Sequence, residues 1–83
     1  MDTLRKRSVM IAGHATSLSL EEAFWEDLHE LARRRGTSIT ALIAGVDAQR
    51  QGNLSSALRI FVLDCYRRGE LGPDAASARA QNP

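Results

Sequence analysis

At 83 residues the chain has room for one small domain, and a core of that size gains from pairing with a second copy. Its 43% hydrophobic and 25% charged residues are those of a soluble globular chain, and a net charge of +1 selects no partner class. The single cysteine, Cys65, excludes an internal disulfide and a cysteine metal cluster, and no apolar run reaches the length of a membrane span or a signal-peptide core. The expectation is a cytoplasmic protein without a metal, a cofactor or contact with a membrane. No nucleophile, base and carboxylate arrangement can be argued, no glycine-rich phosphate loop is present, and His14 and His29 lack neighbours at ligand spacing, so an enzyme is not expected.

In chain order, residues 1–7 carry the run Arg5, Lys6, Arg7 and read as a flexible basic arm. A folded domain is expected over 8–69 and a disordered tail over 70–83, where the sequence becomes small, polar and periodless. Residues 8–12 (SVMIA) suit a short strand. Residues 16–20 (TSLSL) alternate with period two, sending Leu18 and Leu20 toward a core and Ser17 and Ser19 the other way. A lone strand leaves its backbone groups unsatisfied, so this one needs a partner. Two sources stand open. Gly13-His14 is a sequence for a type II′ turn, which would face Ala12 with Ala15, Ile11 with Thr16 and Val9 with Leu18. Alternatively the partner strand comes from a second chain.

The spacing of Phe24, Leu28, Leu31 and Ala32, widened by Trp25, predicts a first helix from about Leu20 to Arg35, stopped by Gly36. Ser19 and Glu22 fit a capping box at its start. Thr37 and Ser38 can cap a second helix with Ile39, Leu42, Ile43 and Val46 on one face. Gly45 inside it weakens the helix by roughly 1 kcal/mol relative to alanine and leaves room for another backbone to approach. Asn53 can cap a third helix whose stripe is Leu54, Ala57, Leu58, Phe61, Val62 and Cys65, the cysteine serving as packing.

Strand, helix, Gly-Thr-Ser turn and helix, carried by TSLSLEEAFWEDLHELARRRGTSITALIAGV over 16–46, resemble the ribbon-helix-helix superfamily. The flanking KRSVMIAGH and NLSSALRIFVL are similar to a subfamily of short bacterial proteins. The resemblance implies a mainly α fold with a short N-terminal β ribbon, two helices and here an additional C-terminal helix. It also implies an intertwined homodimer whose antiparallel ribbon, one strand from each chain, enters the DNA major groove. Ala15, Ser17 and Ser19 would face base edges, and Thr37 and Ser38 would clamp phosphate at a helix start. Arg5, Lys6 and Arg7 would add phosphate contacts, and the dimer core would draw on Leu18, Leu20, Phe24, Trp25, Leu28, Leu42, Ile43, Val46, Leu58 and Phe61. The function implied is a transcriptional regulator, a repressor. Two departures favour the alternative of a dimeric, antitoxin-like protein-interaction module: no long polar side chain at the base-facing positions, and a competing local hairpin. A third, the extra helix, resembles the family's second helix as much as the one before it and leaves open which of them takes that role.

Overall fold

The computed structural model describes residues 3–71. The order is β1 (Leu4–Ile11), β2 (His14–Glu21), α1 (Glu22–Arg35), α2 (Ile39–Gln49) and α3 (Leu54–Arg67). β1 and β2 form one antiparallel ribbon within the chain, so the partner that β2 needs is local. The basic run expected as a flexible arm is therefore strand, with Arg5, Lys6 and Arg7 opposite Leu20, Ser19 and Leu18. Residues 1–2 of that arm lie outside the described residues.

The turn comes one position earlier than expected. Ala12 (φ 51°) and Gly13 (φ 81°) both adopt left-handed backbone, the signature of a type I′ turn closing Ile11 against His14. Val9 consequently faces Thr16 rather than Leu18, and Ile11 faces His14 rather than Thr16. A shift by two positions preserves which side chains share a face. Val9 and Ile11 still lie on the side of Leu18 and Leu20, and Ile11, Leu18 and Leu20 are buried.

The capping box does not form. Ser19 stays inside β2, and Glu21, the residue before α1, makes no side-chain cap bond. The Glu22 N–H instead donates to the Thr3 carbonyl at 2.9 Å, so the base of the ribbon satisfies a helix-start donor that a serine would otherwise take. At the far end of α1, left-handed Gly36 lets the Thr37 N–H return to Ala32 O and its own N–H to Arg33 O, a Schellman stop. α3 ends in the same way, Glu70 N–H donating to Cys65 O and Gly69 N–H to Tyr66 O. That stop turns the chain back on the body. Glu70 pairs with Arg35 at 2.5 Å and Leu71 is buried, so the first two residues of the expected tail belong to the fold. The remainder, 72–83, lies outside the described residues.

The core gathers under the inner ribbon face, with Leu18, Leu20, Trp25, Leu28, Leu42, Ile43 and Leu58 all buried inside one chain. Each fully buried aliphatic side chain contributes about 1.5–3 kcal/mol. Phe24, Val46 and Phe61, expected at the centre, sit half-buried at the rim. On α1 the inward stripe runs Trp25, Leu28, Leu31 and Ala32, which turns the neighbouring Phe24 aside. Cys65 is buried as packing, and burial pushes its thiol up.

Candidate nucleic-acid interface

Cross-strand partners share a ribbon face. The outward face therefore carries Lys6 opposite Ser19, Ser8 opposite Ser17 and Met10 opposite Ala15. Lys6, Ser8, Met10, Ala15 and Ser17 are exposed or partly so, and Ser19 is half-buried. Ala15, Ser17 and Ser19 are thus brought together on one surface as the alternation requires. The β1 residues beside them were missed because residues 4–7 read as an arm. The signal was present, since Lys6, Ser8 and Met10 alternate with Arg5, Arg7, Val9 and Ile11.

The basic run is divided by the ribbon. Arg5 and Arg7 belong to the inner face, where Arg5 Nε lies 2.5 Å from Glu22 Oε1 and the Arg7 guanidinium sits 5.4 Å from the centre of the Trp25 ring. The Trp25 indole N–H donates to the Arg5 carbonyl at 3.0 Å, pinning β1 to α1. Lys6 points the other way, and among the described residues it has no ion-pair or hydrogen-bond partner.

At the ribbon base, Arg59 of α3 donates to both Glu21 carboxylate oxygens, at 2.9 and 3.3 Å. This hydrogen bonding holds the Glu21 carboxyl below its ordinary range and offsets an anion beside the outward face. Ser55 of α3 donates to the Ser19 carbonyl at 3.1 Å. In a two-residue hairpin closed by Ile11 and His14, the backbone groups of Ser19 point away from β1. α3 therefore covers part of the outer edge of β2.

The expected phosphate clamp lies at the start of α2. The Ser38 hydroxyl accepts from Ala41 N–H at 3.0 Å, and the Thr37 N–H is taken by Ala32 O, leaving the Thr37 hydroxyl and the first-turn N–H groups of α2. α2 itself packs against β1 of the ribbon.

Between α2 and α3 runs a second surface, an open groove of about 950 Å³ whose apolar lining includes Leu42, Gly45, Val46, Ala57, Ile60 and Phe61. A Cβ built on Gly45 would meet nothing within 4 Å, so no contact inside the described residues demands glycine there. Ile60 is 60% exposed at the groove wall, a residue the sequence pattern left out of the α3 stripe. Among the described residues no group of three or more His, Cys, Asp and Glu is placed to hold a metal, and no helix is long and apolar enough to cross a membrane.

The model of the ribbon-helix-helix domain matches residues 4–66. Among solved structures, the chain is similar to an uncharacterized protein from Bordetella pertussis Tohama I, at 32% identity and a TM-score of 0.68. That likeness covers 88% of this chain and 66% of the other, so the chain spans just under two thirds of its relative's length. No curated protein matches.

Proposed function

The chain belongs to the ribbon-helix-helix family, a regulatory DNA-binding fold rather than an enzyme family, and we propose that it is a homodimeric transcriptional repressor that binds specific DNA sequences through its ribbon. The observation that carries this reading is the outward β1–β2 face, exposed over Lys6, Ser8, Ser17 and Ala15. Two strands about 4.8 Å apart fit a major groove about 12 Å wide, which admits a two-stranded ribbon. The ribbon is complete within one chain, so each copy presents its own reading surface, and the Ser55 bond at Ser19 weighs against widening it by β2–β2 pairing. Ala15, Ser17 and Ser19 face base edges in this reading. Thr37 and the α2 start hold a flanking phosphate, and Arg5 and Arg7 contribute positive potential from the ribbon flank.

The second copy is placed against the α2–α3 groove. A glycine inside a helix is unfavourable by about 1 kcal/mol, and nothing among the described residues calls for it at position 45. A second helix approaching closely there would. The same groove supports a second reading, in which an apolar segment of a different protein occupies it and the module works without base readout, as an antitoxin does.

A mobility shift on the chain's own upstream region and on random duplex, at two salt concentrations, separates the readings. Selective binding that weakens with salt is the expected result. Absence of binding to either duplex would overturn the repressor reading in favour of a protein partner.

A further inference from the structure

We propose that Lys6, on the strand paired ahead of β2, is the side chain that selects a base, and that the base is guanine. The inference rests on the reading of the ribbon as a groove-binding element and assigns the specificity within it.

The serines and Ala15 on the outward face are short, and a hydroxyl that donates or accepts discriminates weakly between base pairs. Lys6 is the long cationic side chain of that face, the other long polar residue at an outward register position being the acceptor Glu21, and β1 places Lys6 directly opposite Ser19. Its sequence neighbours are held on the other side. Arg5 is paired with Glu22 and Arg7 lies over Trp25, so neither reaches the outward surface without breaking a contact to α1. Lys6 is exposed and has no partner among the described residues, so no internal bond must be broken for it to act. Glu21, at the base of β2, is hydrogen-bonded to Arg59 rather than to Lys6.

An ammonium is a donor without acceptor capacity. In the major groove guanine presents paired acceptors, N7 and O6, whereas adenine presents an acceptor beside a donor and cytosine a donor. A lysine projecting from the floor of the ribbon therefore prefers guanine. Ser8, Ser17 and Ser19 beside and across from it are short, so the ammonium extends beyond the polar groups around it. Trp25 supplies the orientation: its bond to the Arg5 carbonyl fixes β1, and with it the direction in which residue 6 points.

The test selects preferred duplexes from a randomised pool with the wild-type chain and with Lys6→Ala and Lys6→Gln, each shown to be folded by circular dichroism. Wild type should select a fixed G·C pair. Lys6→Ala should lose discrimination at that pair alone, by roughly tenfold or more. Lys6→Gln should move the preference there toward adenine, which offers glutamine a matched donor and acceptor. If Lys6→Ala weakens every duplex equally and flattens the salt dependence, Lys6 touches phosphate and the inference is overturned while the groove-binding reading stands. If wild type selects no sequence at all, the reading itself falls.

Discussion

Trp25 links the inner face of the ribbon to the helices through three separate interactions. Its ring is buried at 1% exposure, its indole N–H donates to the Arg5 carbonyl, and Arg7 lies over its face. Trp25→Phe keeps the aromatic ring but removes the donor and some volume. A loss of about 1–3 kcal/mol in urea unfolding, followed by circular dichroism because the chain's only tryptophan is gone, is the expected outcome. Unchanged stability would mean that the indole N–H bond to the Arg5 carbonyl contributes nothing to holding β1 on α1. The apolar stripe of α1 was legible in the sequence, but its centre was not. Phe24 and Trp25 are adjacent aromatics, and periodicity alone does not say which turns inward. Contacts distant in sequence decide it: Arg59 takes up a place 5.9 Å from the centre of the Phe24 ring, while the Trp25 N–H finds its acceptor on β1.

The hairpin and the helix ends show which elements were readable and why others escaped. Period-two alternation located β2, and Ser38 and Asn53 cap their helices by accepting from Ala41 and Ser56 N–H, as their residue types imply. β1 was cut short because Arg5, Lys6 and Arg7 carry no apolar signature, although Arg5 and Arg7 occupy inward register positions. The turn was misplaced because alanine is a poor left-handed residue, yet Ala12 adopts φ 51° there. Asparagine tolerates that conformation, and Asn-Gly is the preferred type I′ pair. Ala12→Asn should therefore stabilise the chain by about 0.5–1 kcal/mol in thermal unfolding; a loss instead would show that the turn is held by something other than its backbone conformation.

The junction of α1 with the end of α3 predicts an acid dependence. Glu70 is held down to about 2 by hydrogen bonding to Arg35, with Arg68 adding to it, against an ordinary value of 4.5. A carboxyl depressed in the folded chain stabilises it fully above 4.5, and that contribution is lost as pH falls toward 2. Glu30, held at about 2 between Arg33 and Arg34, acts in the same direction, whereas burial raises Asp27 and opposes it. Glu70→Gln should make unfolding less pH-dependent between 4.5 and 2. Solvent screening keeps the difference small. An unaltered profile would remove the Glu70 cluster from the acid response.

Taken whole, the molecule has two surfaces with opposite characters, a polar ribbon face and an apolar α2–α3 groove, and the proposed function uses both. The strand, helix, helix order was legible because each element carries its own period. The groove was legible only through Gly45, since an apolar stripe looks the same whether its own chain or another covers it. If a second copy fills the groove, the effects of substitution on folding and on assembly must separate. Gly45→Ala should raise the stability of the single chain by about 1 kcal/mol through helix propensity while weakening self-association, because the added methyl group enters the space a second helix would use. Ile60→Glu should leave the fold intact, the side chain being 60% exposed, and shift sedimentation from dimer to monomer. It should also weaken operator binding more than random-duplex binding, since one ribbon then meets one half-site instead of two. Wild-type protein that sediments as a monomer, or a dimer untouched by Ile60→Glu, would move the self-contact away from α2 and α3 and return the groove to a different protein partner.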